Sequence, residues 1–268
     1  MIGRQIRVLR RMTVSHLSMT MAYRGDMAFI MIGTVAVPLV SLLVWRAALA
    51  SGASLPVDRE YLTTYFVVLS FVRMATSSWL ARFLAEDIRL GRLSSWLVRP
   101  ISPVFEHLAN NLSEKTLKGL ILLPMIGVLA LIFADSMRLP ADPVTWLLFL
   151  VSTLLGAVLV FMLDYLVGCL AFWIDDIAAL DRGRTLLANV LSGAVVPLAL
   201  APAWARGFVD LQPFRFTVSF PVEILLGRVS AGELVLGLVV QAGYAGAALL
   251  SAVFVWRRGI RAYSAVGV

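Results

Sequence analysis

Cysteine and histidine are nearly absent from this sequence. Its one cysteine, Cys169, excludes an intrachain disulfide and any metal site built from several thiolates. The two histidines, His16 and His107, lie in segments that we predict to be cytoplasmic. An intramembrane serine protease needs a histidine base beside its nucleophile within the bilayer, so this class of enzyme is not supported. We expect no metal site and no catalytic residue in the chain.

A phosphate-binding loop is also missing. Such a loop is rich in glycine and ends in Lys followed by Ser or Thr, directly before a helix. The most similar segment, DRGRTLL at 181–187, has neither the spacing nor the lysine. We therefore expect this chain to bind no cofactor. If ATP and Mg²⁺ drive the protein, a partner subunit binds them.

Charged residues are scarce, and apolar residues are abundant. Charged residues make up 15% of the 268 residues and hydrophobic residues 60%, with a mean hydropathy of +0.89. A soluble domain is nearer half apolar and one quarter charged. A single domain of this length could not hide so much apolar surface from water. The composition therefore predicts a membrane protein with lipid as the solvent for most of the chain.

Six apolar stretches are long enough, or nearly so, to cross a hydrocarbon core of about 30 Å as helices. They are residues 27–50, 61–81, 119–134, 144–174, 185–203 and 234–256. Three of them contain a proline, Pro38, Pro124 or Pro197, which membrane helices tolerate. The fourth stretch is too long, so it must tilt, break near Gly168 or continue beyond the membrane.

Basic residues are divided unequally between the two sides of this arrangement. With the N-terminus inside, sixteen Lys and Arg residues fall in cytoplasmic segments and five in external segments. This excess is the positive-inside signal of membrane proteins. It explains the net charge of +7 without nucleic acid, for which we expect no binding. Both termini are predicted to be cytoplasmic, which requires an even number of spans.

The N-terminal residues 1–26 carry five arginines and resemble an interfacial helix. The apolar run that follows is too long for a signal peptide, so we expect it to remain in the mature protein. One helical face carries Ile2, Ile6, Leu9, Thr13 and Leu17, whereas Arg4, Arg7 and Arg11 lie off that face. This pattern is typical of an amphipathic helix that lies on an anionic lipid surface.

Two further segments lie outside the spans but carry too much apolar character for plain loops. Residues 79–106 combine apolar positions at helical spacing with a mixed-charge surface. This pattern indicates either docking onto a partner or a helix on the membrane surface. Residues 204–233 are too interrupted to span the membrane and too apolar for an exposed loop, which favours a re-entrant or interfacial hairpin.

Two charges fall inside predicted spans, where charged side chains usually face protein or a water-filled cavity. Arg73 and Asp164 could pair between the second and fourth spans. Alternatively, Asp164 lies near a helix end and Arg73 snorkels or pairs with another subunit. In the last span, small residues four positions apart (Ala242 with Gly246, Gly243 with Ala247) predict close helix packing, within a subunit or between subunits.

Three stretches resemble the ABC-2 type permeases, specifically a branch predicted to be multidrug or viologen-type exporters. They are EDIRLGRLSSWLVRPIS at 86–102, PFRFTVSFPVEILLGR at 213–228 and RRGIRAYSAVG at 257–267. The resemblance implies one ABC-2 type transmembrane domain over residues 1–268. The expected fold is an all-α membrane protein with six transmembrane helices, the N-terminal interfacial amphipathic helix, a cytoplasmic coupling helix and an external re-entrant hairpin before the last helix.

The resemblance also implies a function and partners. It indicates the permease subunit of an exporter in the bacterial cytoplasmic (inner) membrane, with a hydrophobic or amphiphilic substrate. Such a permease works as a dimer with an identical or related second permease, in contact with membrane lipid. Two ATP-binding cassette (ABC) ATPase subunits, which hold ATP and Mg²⁺, would dock on it.

Site residues are carried over from the same resemblance. The ATPase-coupling residues would be Glu86, Asp87, Arg89, Gly91 and Arg92. The external gate would contain Pro213, Phe214, Arg215, Phe220, Pro221 and Glu223. Arg215 and Glu223 have opposite charges, so they either pair or both face water.

Two other classes of function remain as alternatives. A secondary transporter or channel would need no ATPase, but it favours internal repeats and paired broken helices, which the sequence does not display. An intramembrane enzyme of lipid metabolism would need histidines or carboxylates clustered at one membrane face. An ATPase that co-purifies with the chain would distinguish the permease from both.

Overall fold

The structure is a computed structural model that describes residues 2–22, 24–99 and 102–263. These residues form eleven α-helices and short 3₁₀ turns, with no β-strand among them. The α-helices are α1 (Ile2–Ala22), α2 (Arg24–Ala50), α3 (Arg59–Thr76), α4 (Leu80–Arg89), α5 (Leu93–Leu97), α6 (Pro103–Ile132), α7 (Pro143–Cys169), α8 (Ala178–Leu191), α9 (Arg206–Leu211), α10 (Ser219–Leu225) and α11 (Ala231–Ala262). The predicted all-α class is confirmed.

Five segments are long and apolar enough to cross a membrane, which makes this a multi-pass membrane protein. They are Gly33–Ala50 in α2, Arg59–Arg89 in α3 and α4, Pro103–Ile132, Pro143–Phe172 and Ala231–Ala262. Four of the predicted spans overlap these segments closely, and the third, residues 119–134, overlaps the second half of α6, which ends at Ile132.

The predicted fifth span, residues 185–203, is not one continuous helix. Its first part belongs to α8, which has only 14 residues and ends at Leu191. Gly193 then adopts a φ of +82°, a left-handed conformation that glycine tolerates and that ends a helix. Pro197 follows and cannot donate a helical hydrogen bond. Helix-breaking chemistry therefore outweighs the apolar composition here.

Other boundaries also differ from the prediction. α6 begins at Pro103 instead of residue 119. The residues before 119 are more polar, but they continue the same helix, and an ion pair between Glu114 and Lys118, four residues apart, supports it. α11 begins earlier, at a capping box in which Ser230 and Glu233 satisfy each other's backbone groups. α7 ends at Cys169 and a 3₁₀ turn, Leu170–Phe172, follows directly, so the helix type changes beside Gly168, at one of the places that the sequence left open.

The N-terminal helix α1 forms as predicted, and it packs along α6. Leu17 contacts an apolar cluster that includes Leu117 and Leu122 of α6. At the same contact, His16 Nε2 lies 2.6 Å from Glu106 Oε1. The apolar face of α1 is therefore directed at least partly at protein rather than only at lipid.

The core is built around α3, whose side chains are buried on almost every side. α7 and α11 form the other main pair and approach closely because α11 directs small residues at α7, among them Ala245 and Ala252. The predicted small-residue pairs occupy another face: Gly243 and Gly246 have open space where a Cβ would stand. Within this chain, those pairs are not the ones that bring helices together.

Candidate functional site

Residues 192–230, here called the connector, join α8 to α11 and fold back into the helix bundle. A Cβ on Gly156 of α7 would lie 3.0 Å from the carbonyl oxygen of Thr217 in the connector. Gly156 is thirteen residues after the start of α7, about 20 Å along the helix axis. The connector therefore contacts α7 about halfway along its length.

A buried amide holds the connector at this depth. Gln241 of α11 donates through Nε2 to the carbonyl oxygens of Phe216 and Ser152, both at 2.8 Å. Its Oε1 accepts a hydrogen bond of 2.9 Å from Ser152 Oγ. Gln241 and Ser152 are both fully buried. One side chain thus joins α7, α11 and the connector, a linkage that the sequence analysis missed because a single glutamine carries no local signal.

A charged network holds the next part of the connector. Arg215 donates to Glu223 Oε2 at 3.2 Å and to Asp210 Oδ1 at 2.8 Å. Ser219 Oγ donates to the other oxygen of Glu223 at 3.1 Å. Glu223 is only 8% exposed. The pairing hypothesis for Arg215 and Glu223 is confirmed, and the alternative that both simply face water is wrong.

The remaining predicted gate residues have different surroundings. Phe214 lines a cavity between α3, α7 and α8. Phe220 is 1% exposed and packs against Gly237 of α11, so it anchors the connector in the core. Pro213 starts a 3₁₀ turn, and Pro221 is buried in α10. Only Phe214 among the two aromatic gate residues is brought to a cavity.

The close approach at Gly156 allows a direct test of how the connector is seated. We expect Gly156→Leu to push the connector away from α7 and lower the free energy of unfolding by about 1–3 kcal/mol, the usual cost of overpacking. Denaturation of the purified protein in mixed detergent micelles measures this change. Gly127→Leu is the matched control, because Gly127 is also helical and has open space around it. Equal stability of the two variants would contradict the placement of the connector.

A second candidate site is the α4–α5 elbow, residues 80–97. Leu80, Leu84 and Ile88 of α4 are buried against α7. A Cβ on Gly168 would lie 3.0 Å from the side chain of Leu84, so α4 approaches α7 closely. Leu93 of α5 belongs to the same buried cluster. The elbow is therefore a fixed part of the bundle with one face left exposed.

The predicted coupling residues divide into two groups. Arg92 binds Asp87 at 2.8 Å and Glu86 at 3.1 Å, and these hydrogen bonds raise the pKa of the Arg92 guanidinium above its ordinary value. Gly91 supplies the turn between the helices with a φ of +72°. The two ion pairs of Arg92 and the turn at Gly91 thus shape the elbow, whereas Arg89 is exposed and takes part in neither ion pair.

The exposed face of the elbow also carries apolar side chains. Phe83 and Leu90 are exposed next to the charged residues, and Val98, directly after the elbow, is exposed as well. The apolar positions at helical spacing in residues 79–106 were predicted without separating the buried side chains from exposed ones such as Phe83 and Leu90. Helical spacing could have predicted part of this division, because Leu80, Leu84 and Ile88 share one face of α4 and Phe83 lies off that face.

The predicted pair of intramembrane charges is wrong. Arg73 donates through Nη2 to Asn189 Oδ1 of α8 at 3.1 Å. Asp164, five residues before the end of α7, lies 2.6 Å from Arg184 Nη2. Asp164 lies in the last two turns of α7, in agreement with the alternative, but Arg73 pairs within the same chain, which neither alternative expected. The physical reason is α8, which lies beside α3 and α7 and supplies both partners.

The comparison with protein families agrees with this architecture. Residues 58–267, more than half of the chain, match the family described as ABC-2 family transporter protein. The chain belongs to the ABC-2 transporter family. No curated protein matches it significantly. The match covers both the elbow and the connector of this ABC-2 protein, and the family is a membrane component of transporters.

Proposed function

We propose that this ABC-2 protein is the permease subunit of an ATP-driven exporter whose ATP and Mg²⁺ are bound by separate ABC ATPase subunits. The observation that carries the proposal is the α4–α5 elbow, which a family member needs as a docking surface. It is fixed to α7 on one face and exposes charged and apolar side chains together on the other. A secondary transporter or channel has no ATPase and needs no docking surface for one.

The assembly that we propose contains two permeases, identical or related, and two ATPases in a bacterial cytoplasmic membrane. Both termini and the elbow face the cytoplasm, in accordance with the excess of basic residues there. α8 and the start of the connector complete the sixth crossing, and the rest of the connector forms the external gate with Phe214 at the path. The substrate is hydrophobic or amphiphilic.

Docking at the elbow predicts a specific loss of the partner. Leu90→Asp places a charge on a side chain that is 53% exposed at the centre of the proposed surface. We expect the variant to fold like the parent and to lose its ATPase during affinity purification in mild detergent, because the interface would have to bury an unpaired carboxylate. Mass spectrometry of the purified complex gives the partners and their ratio.

The matched control is Leu139→Asp, since Leu139 is 48% exposed in the turn before α7, far along the chain from the elbow. This variant should retain the ATPase. If the parent brings no ATPase with it, the permease assignment is wrong and a transporter without an ATPase is favoured. If Leu90→Asp retains the ATPase as well as Leu139→Asp does, docking takes place elsewhere.

A further inference from the structure

A cavity of about 220 Å³ lies between α3, α7, α8 and the connector. Its lining is mixed: Val160, Leu163 and Phe214 are apolar, whereas Arg73, Asn189 and Ser192 are polar. A second cavity of about 220 Å³ adjoins it and shares Ser78, Trp79, Arg184 and Thr185 with it. The two cavities together form a groove along α8 that ends beneath Phe214.

The charges along this groove do not cancel. In the second cavity, Arg184 lies between Asp164, at 2.6 Å, and Asp181, at 3.2 Å, and Asp181 also binds Arg82 at 3.0 Å. Arg73 lines the first cavity and donates to a neutral amide, that of Asn189. None of the described residues that line this first cavity is Asp or Glu. Its positive charge is therefore left without a carboxylate.

A guanidinium inside a membrane protein is costly unless an anion or a water-filled cavity compensates it. Arg73 also has the planar donor geometry that binds a carboxylate or phosphate through two parallel hydrogen bonds. Asn189 fixes one of its nitrogens, which leaves the remaining donors for a ligand in the cavity. The apolar side chains beside it suit a hydrocarbon chain, and a cationic ligand would be repelled.

We propose that the cavity binds the anionic headgroup of an amphiphilic substrate, with Arg73 as the residue that recognises the anion and Val160, Leu163 and Phe214 contacting the apolar part. This inference rests on the proposed permease function and names its substrate class. It differs from the expectation of a viologen-type substrate, which is cationic.

Binding to the purified chain in lipid nanodiscs tests the proposal without any ATPase. The probes are dodecyl phosphate, dodecyltrimethylammonium and inorganic phosphate. We expect dodecyl phosphate to bind about tenfold more tightly than either of the others, because only it satisfies both Arg73 and the apolar lining. Equal binding of dodecyltrimethylammonium would overturn the proposal. Equal binding of inorganic phosphate would show that the cavity binds small anions, and would overturn the assignment of an amphiphilic substrate.

Variants connect the binding to Arg73. Arg73→Gln removes the charge and should weaken dodecyl phosphate about tenfold, whereas Arg73→Lys keeps the charge and should retain most of the affinity. Arg182→Gln is the matched control, because Arg182 is exposed on α8. Size-exclusion chromatography confirms that each variant is folded. Unchanged binding by a folded Arg73→Gln would refute the role of Arg73. If this assay succeeds but no ATPase co-purifies with the chain, the binding site stands and the exporter assignment fails.

Discussion

Arg184→Ala is expected to lower the free energy of unfolding by about 3–5 kcal/mol, the usual cost of removing one partner from a buried ion pair. Asp164 is 0% exposed, and its carboxylate lies 2.6 Å from the Arg184 guanidinium. Among the described ion pairs, no other cation lies this close to Asp164. Removing Arg184 therefore leaves a buried carboxylate without a cationic partner. Denaturation in mixed micelles of dodecyl sulfate and a mild detergent measures the loss.

Arg182→Ala is the control for the general effect of removing an arginine from α8. Arg182 is two residues away on the same helix and is exposed, so its replacement should change stability little. A double variant, Asp164→Leu with Arg184→Met, should regain much of the loss, since well-packed apolar residues replace a buried pair at little cost. If Arg184→Ala is as stable as Arg182→Ala, the pair does not hold α7 and α8 together.

Arg215→Met is expected to have the second large effect, a destabilisation of about 3 kcal/mol together with a change in gating. Glu223 would lose its cation and retain only Ser219 as a donor in a buried site. Because the connector would then be held less firmly, we expect basal ATP hydrolysis by the assembled complex to rise. Micelle denaturation and an ATPase assay of the reconstituted complex measure the two effects.

Arg206→Met provides the comparison, because Arg206 is exposed in the same connector. It should leave both stability and ATP hydrolysis unchanged. Arg215→Met combined with Glu223→Leu should recover stability, which separates the loss of the ion pair from the loss of the gate. If all of these complexes hydrolyse ATP like the parent, the connector caps the bundle and does not gate it.

Arg73, Asp164 and Arg184 show where sequence reasoning stops. Arg73 and Asp164 were recognised as unusual because a charge within an apolar run is conspicuous in the sequence itself. Their partners do not follow from the sequence, because Asn189 lies 116 residues from Arg73 along the chain and the predicted spans leave Arg184 in a loop. Whether α8 begins before or after Arg184 depends on helix packing that no local pattern records.

The connector shows the same limit at larger scale. The interrupted apolar composition of residues 204–233, which make up most of the connector, predicted a segment that neither spans nor lies free in water. The opposite charges of Arg215 and Glu223 gave their pairing as one of two alternatives. The position of the connector between α7 and α11 could not be predicted, because it depends on contacts with Gly156 and Gln241 in two helices that are distant along the chain. Neither residue is unusual for its own helix, and each becomes important only when the connector contacts it.

By itself, the sequence determined the class of this protein, most of its membrane spans and its two segments of special structure. Those features are local: hydropathy acts on each stretch of about 20 residues separately, and glycine or proline ends a helix wherever it stands. Only the tertiary structure decided which charges pair, which phenylalanine lines a cavity and how deep the connector lies. These features depend on which helices become neighbours, because an ion pair or a hydrogen bond needs its two groups within about 3–4 Å of each other.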